Sequence, residues 1–170
     1  DFYKPIPDQV EKRLQRIVAR DELSRGERVL DVGTGTGVLI PDIRQYGIDE
    51  VVGCDLSAVM LAKAQEQHEG VTFWLGDVID LPESLGRFDV VFLNAMFGNV
   101  WDQRATLQRV TGMLRTGGRI YISHPLGSRF VAELNRGDPR RTPHLLPNKQ
   151  RLHVLIRGIP LEVVHYYDEK

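Results

Sequence analysis

Apolar positions along this chain follow two patterns. Short, nearly continuous runs occur at Val29-Leu30-Asp31-Val32, Glu50-Val51-Val52-Gly53-Cys54-Asp55, Val71-Thr72-Phe73-Trp74-Leu75, Phe88-Asp89-Val90-Val91-Phe92-Leu93 and Arg119-Ile120-Tyr121-Ile122-Ser123. Runs so rich in β-branched and aromatic residues suit strands covered on both faces. Between them apolar residues return every three or four positions, the period of a helix. Val10, Leu14, Ile17 and Val18 do so behind a D-x-x-E capping pattern at Asp8 and Glu11. Residues 37–46 are expected to form a crossover helix with Pro41 near its opening turn, where a missing N–H is tolerated. Ser57 and Asp102 read as N-caps of two further helices, the second facing the sheet with Leu107, Val110 and Leu114 and ending at Thr116-Gly117-Gly118. A partly amphipathic helix is expected over residues 148–157, with Leu152, Leu155 and Ile156 on one side, and a strand over 161–167. The alternation of strand and helix predicts an α/β protein: a doubly wound, mostly parallel sheet with helices on both faces, a three-layer α/β/α sandwich.

The chemistry concentrates where the first strand ends. Val29-Leu30-Asp31-Val32-Gly33-Thr34-Gly35-Thr36-Gly37 is an apolar strand that carries a carboxylate and runs into three alternating glycines. Glycines let backbone turn tightly and meet a ligand without an intervening Cβ, and the following helix begins with unpaired N–H groups. A dinucleotide fingerprint would place two residues before its third glycine, and this chain does not. Asp31 would repel a pyrophosphate, yet it can accept from turn amides and, directly or through water, from an ammonium group. Asp55 ends the second strand at about the 20-residue spacing of a ribose-binding carboxylate in a βαβ unit, and is expected to take both ribose hydroxyls.

The first of these segments resembles the acidic-x-G-x-G-x-G motif of the class I S-adenosylmethionine-dependent methyltransferases, and later segments follow in the family's order over about residues 28–168. The resemblance implies a Rossmann-like fold and S-adenosylmethionine as cofactor, with S-adenosylhomocysteine as product. Asp55-Leu56-Ser57-Ala58-Val59-Met60-Leu61 is similar to the family's acid, small polar residue and Met-Leu pattern, which puts the Met60 thioether against adenine. Leu75-Gly76-Asp77-Val78 resembles the segment whose acid accepts from the adenine amino group, with the Val78 amide beside it. Gly33, Thr34, Gly35, Leu56 and Asn94 complete the expected cofactor contacts. The family's pattern continues with a last antiparallel strand after residues 161–167, whereas this sequence stops at Lys170, so the expectation is either a truncated chain or an absent final strand.

Ligands of open α/β sheets lie beyond the carboxyl ends of the strands, so an acceptor should meet Asn94-Ala95-Met96-Phe97-Gly98-Asn99 and His124-Pro125-Leu126-Gly127. Asn94 stands where nucleic-acid amino-methyltransferases begin an Asn-Pro-Pro-aromatic tetrad, but Ala95 and Met96 replace both prolines. The carboxamides Asn94 and Asn99 are poor ligands for a divalent cation, so no metal is expected. His124 is the candidate base, since an imidazole titrating near neutrality can take a proton from an alcohol or phenol. Phe97 is a candidate substrate contact, as is Tyr3 in a lid over the pocket. Arg136, Arg140, Arg141, Lys149, Arg151 and Arg157 face one acid, Asp138, across the tail, and the adjacent forks of Arg140 and Arg141 suit a carboxylate or phosphate.

Composition sets the bounds. The 170 residues, 42% hydrophobic and 26% charged, make one domain able to bury a full core: an N-terminal cap helix in 1–27, a cofactor-binding core in 28–123 and a substrate-side part in 124–170. A net charge of −1 offers no global attraction to nucleic acid. One cysteine rules out an internal disulfide, and no long apolar run or leader pattern is present, so a soluble cytoplasmic protein is expected. The chain begins at Asp1, which leaves an organelle open if a targeting peptide precedes it. The expected function is methyl transfer to an oxygen or nitrogen of a small molecule. The basic tail keeps RNA or protein acceptors open, a cofactor-binding module without catalysis remains the alternative outside enzymes, and nothing bears on oligomeric state.

Overall fold

The computed structural model describes residues 6–167. Five strands, β1 (Arg28–Val32), β2 (Glu50–Asp55), β3 (Thr72–Leu75), β4 (Phe88–Asn94) and β5 (Leu114–Ser123), form one sheet in the order β3-β2-β1-β4-β5. Every neighbouring pair is parallel, with Asp31 opposite both Gly53 and Phe92. The chain winds outward from β1 to β3 and then returns to place β4 on the other side of β1. The switch point between β1 and β4, at their carboxyl ends, is where an open α/β sheet is expected to hold a ligand.

Among the described residues six α-helices flank the sheet: α1 (Asp8–Ala19), α2 (Ile40–Arg44), α3 (Ala58–Gln67), α4 (Gln103–Gly112), α5 (Gly127–Gly137) and α6 (Lys149–Leu155). Because side chains alternate along a strand, the core divides into two. On one face Val29, Val51, Val90 and Phe92 meet Leu14 and Val18 of α1 and Ile40 and Ile43 of α2. On the other, Leu30, Val52, Cys54, Val91 and Leu93 meet Leu107 and Val110 of α4 and Leu155 of α6. Burying a side chain of this size stabilises by about 1.5–3 kcal/mol, so the two clusters dominate the fold. Arg119 at the base of β5 bonds Asp21 at 2.9 Å and grips Glu27 with two N–H groups at 2.9 and 3.0 Å, which ties the segment after α1 to the far side of the sheet.

Several elements depart from their sequence expectation. Asp8 and Glu11 form no capping box: Pro7 is the N-cap, and both acids sit in the first turn of α1, where they complement the helix dipole. The first crossover helix starts only at Ile40, because Gly37 adopts φ +81°, which no right-handed helix accommodates. Thr116-Gly117-Gly118 does not end α4. The chain leaves that helix at Gly112, Phe88 N–H catches the Met113 carbonyl, and the three residues fall inside β5 at an irregularity in its pairing with β4, Gly117 at φ +78°. The expected strand at 161–167 is irregular chain; Tyr167 lies under the Arg20 guanidinium, 4.3 Å from ring centre to carbon, so this segment runs toward the end of α1. Helix α5, not anticipated, buries only Val131.

Cys54 lies in the core, and burial pushes its thiol up to about 12. The thiolate is the reactive form, so Cys54 should resist alkylation by iodoacetamide in the native protein and react fully in urea; mass spectrometry of the two samples checks this.

Candidate cofactor site

The turn after β1 is held by its neighbours. Gly33 and Thr34 N–H both donate to the Cys54 carbonyl, at 2.8 and 3.0 Å, and Gly37 N–H donates to the Thr34 carbonyl at 2.8 Å. Gly33, Gly35 and Gly37 all have positive φ, +68°, +57° and +81°. Their empty Cβ positions serve different ends. A Cβ on Gly33 would lie 2.8 Å from Met96 Cβ, and one on Gly37 would lie 2.5 Å from the His68 ring. A Cβ on Gly35 would meet nothing nearer than Met60 Cε at 3.9 Å. Two of the glycines make room for this chain's own side chains, and Gly35 is the one that faces open space.

Asp55, at the end of β2, accepts from Gly35 N–H through Oδ2 at 2.8 Å and from Ser57 N–H through Oδ1 at 2.9 Å. Each oxygen keeps a further acceptor direction. Ser57 caps α3 by accepting from Met60 N–H at 3.3 Å, while Leu56 projects into solvent, 73% exposed. Asp31 is 2% exposed and accepts from the Thr34 hydroxyl at 2.7 Å. Burial is the main reason its carboxyl is raised to about 7, with the Asp55 charge adding to the rise and the Thr34 bond opposing it. Gly76 N–H donates to the Asp55 carbonyl at 2.9 Å, which fixes the exit of β3 beside that of β2. Asp77 then caps a single 3₁₀ turn, Val78–Asp80, by accepting from Ile79 N–H at 3.1 Å, with Val78 buried beneath it. Asp31, Asp55 and Asp77 thus surround Cys54, whose thiol all three disfavour ionising.

At the end of β4, Asn94 is buried and accepts from the Ser123 hydroxyl at 2.9 Å. Ala95 then takes φ +57°, a left-handed conformation that throws Met96 back onto Gly33. Phe97, the expected substrate contact, is fully buried among the residues packed under α4: the loop folds back, Asn99 N–H on the Met96 carbonyl, and carries the ring into the core. His124 is half-buried, 5.4 Å from the Phe130 ring, and burial lowers its pKa. Its Nδ1 accepts from Leu126 N–H at 3.1 Å, so the neutral ring carries its proton on Nε2. Arg140 and Arg141 are exposed on the turn after α5, where the Asp138 carboxylate accepts from both backbone amides. Tyr3 lies outside the described residues. His68, to which the sequence pattern attaches no chemistry, proves to touch the glycine turn directly. Among the described residues no three His, Cys, Asp or Glu side chains gather as metal ligands, and no helix is long and apolar enough to cross a membrane.

Comparison with known proteins follows the same lines. The model of a family described as a methyltransferase domain matches residues 29–118. A demethylmenaquinone methyltransferase of Beutenbergia cavernae is 36% identical over 113 residues, 65% of this chain and 47% of that protein. One of Paenarthrobacter aurescens is 32% identical over 119 residues, 68% of this chain and 47% of its own length. The chain therefore spans about half the length of these curated relatives. Among solved structures, the putative methyltransferase in complex with the Haloferax volcanii Trm112 methyltransferase activator superposes with a TM-score of 0.75 at 22% identity, covering 89% of this chain and 68% of that one. The S-adenosylmethionine-bound amino pentose methyltransferase CalS10 of Micromonospora echinaspora gives 0.55 at 27% identity over 71% of this chain and 51% of that one. The parallel five-stranded sheet, the glycine turn after β1 and these matches together make the chain a member of the methyltransferase domain family, within the class I S-adenosylmethionine-dependent methyltransferases.

Proposed function

We propose that this domain binds S-adenosylmethionine and passes its methyl group to an oxygen or nitrogen of a small-molecule acceptor, without a metal. The observation that carries this reading is the open backbone at Gly35 set between two acids, Asp31 and Asp55, the charge of Asp55 adding to the cost of ionising the buried Asp31. A cation-bearing nucleoside relieves that repulsion, whereas a pyrophosphate adds to it. The cofactor, when bound, supplies an electrophilic methyl on a sulfonium. Asp55 accepts the ribose hydroxyls while it keeps Gly35 and Ser57 in place, Asp77 and the Val78 amide bracket the adenine edge, and Met60 packs on its face. Asp31, held by Thr34, faces the amino-acid end.

The acceptor enters over the ends of β4 and β5, past Asn94 and His124, with Arg140 and Arg141 drawing an anionic group. The relatives named demethylmenaquinone methyltransferase support a small organic acceptor. Aligning acceptor and methyl in line can supply about 7–11 kcal/mol, more than a single base. With Nδ1 engaged, His124 carries its proton on Nε2 and serves first as a donor that orients the acceptor. Once an acceptor is found, His124→Ala should lower kcat about tenfold or less; a loss of about 10²- to 10⁴-fold would show proton abstraction instead, by a ring that gives up its Leu126 bond.

The reading is tested by calorimetric titration of the folded domain with S-adenosylmethionine, S-adenosylhomocysteine and NADH, followed by an acceptor screen with labelled methyl donor. Micromolar binding of the first two and none of NADH is expected. Binding of NADH alone would overturn the assignment.

A further inference from the structure

We infer that His68 is a positioning residue for the cofactor turn, an imidazole latch that enters the space left by Gly37 and holds the turn from the far end of α3. The inference rests on the cofactor assignment above, but its geometry stands within the protein alone. His68 is the C-cap residue of α3, its own N–H on the Ala64 carbonyl at 2.9 Å. Its side chain crosses to the glycine turn, where Nε2 lies 3.0 Å from the Thr36 carbonyl. A carbonyl only accepts, so Nε2 carries the proton and donates. The ring occupies the volume of the missing Gly37 Cβ so closely that the nearest ring atom is 2.5 Å from where that carbon would be.

The latch explains a glycine that the ligand does not need. Gly37 supplies two things at once, a positive φ and a vacancy, and the vacancy is filled by His68. A second tie runs beside it, from Arg44 Nη2 on α2 to the Glu69 carbonyl at 2.5 Å, so the chain leaving α3 is pinned to both the turn and the helix that follows. At the opposite end of α3, Asp55 and Ser57 fasten the helix to Gly35. Helix α3 therefore clasps the turn from both ends: Asp55 fixes Gly35, the position that faces the ligand, and His68 fixes Thr36, the next residue. A turn built from three residues with positive φ has little conformational preference of its own. Holding it in one form beforehand removes an ordering cost that binding would otherwise meet.

The test uses His68→Ala, His68→Phe and His68→Gln beside the wild type. Glutamine can place an amide N–H near the position of Nε2, whereas phenylalanine keeps a ring and loses the donor. Two readouts are taken: affinity for S-adenosylhomocysteine, and amide hydrogen exchange at residues 33–40 without ligand. Removing one hydrogen bond that preorganises a site is expected to weaken binding about three- to tenfold in His68→Ala and His68→Phe, with recovery in His68→Gln, and to speed exchange of the Gly35 and Gly37 amides by a similar factor. Unchanged exchange in the turn of a folded His68→Ala variant overturns the latch whatever the ligand result. Equal weakening in all three variants overturns it too, because a purely structural role is indifferent to the amide donor. Should the wild type bind no S-adenosylhomocysteine while exchange still accelerates, the latch stands and the cofactor assignment fails.

Discussion

Asp55→Ala is expected to weaken S-adenosylhomocysteine binding by at least about 100-fold. A hydrogen bond to a charged acceptor is worth about 1.5–3 kcal/mol, and two ribose hydroxyls would lose theirs together. The same carboxylate holds Gly35 and Ser57, so its removal also frees the turn and the start of α3. Asparagine should rescue little, because both oxygens accept from backbone N–H groups and an amide nitrogen would set donor against donor. Calorimetry with the two variants and the wild type decides this, alongside thermal unfolding to show that the variants fold. Retained affinity in Asp55→Asn would mean that the ribose is held elsewhere.

The second large effect is one of pH, through Asp31. Its carboxyl ionises near 3.8 in the unfolded chain and at about 7 in the folded one, mainly because it is buried. The folded state binds the extra proton, so the stability this group contributes is fully present below pH 3.8 and is lost as pH rises through about 7, at most about 4 kcal/mol at 1.36 kcal/mol per unit. A ligand ammonium facing Asp31 favours the ionised form and reverses that preference. Affinity for S-adenosylhomocysteine should therefore climb about tenfold per unit as pH approaches 7 from below, then level off. Asp31→Asn should flatten this profile and leave the unliganded protein more stable at pH 8 than the wild type, since an amide can still accept from Thr34 without a buried charge. Urea titrations and calorimetry between pH 5.5 and 8.5 measure both; a wild-type affinity that does not change over this range would remove Asp31 from the ligand's ammonium.

All five strands appear where an apolar run stands: β1, β2 and β4 were legible because a strand buried on both faces has no polar alternation to blur it, and the partly exposed edge strands β3 and β5 by their β-branched and aromatic residues. The caps at Ser57 and Asp102 were legible for a related reason: a side-chain oxygen that meets an N–H three residues on is a local event. Local rules also misled. Gly117 and Gly118 read as a helix end, yet backbone pairing with β4 draws them into β5. Asp8 and Glu11 have the spacing of a capping box, but Pro7 takes the cap position. Phe97 reads as an aromatic at the mouth, and only the return of its own loop carries it into the core.

What the sequence determined by itself is the order of the five strands and the acids at the ends of the first three, because strand periodicity and a glycine-rich turn need only near neighbours. The tertiary structure alone decided which glycine faces a ligand and which make room for Met96 and His68, and that Nδ1 of His124 is engaged. The His68 latch joins residues 32 positions apart, a contact no local pattern encodes, since it exists only once α3 has packed beside the turn and brought the imidazole to a carbonyl with a lone pair to spare.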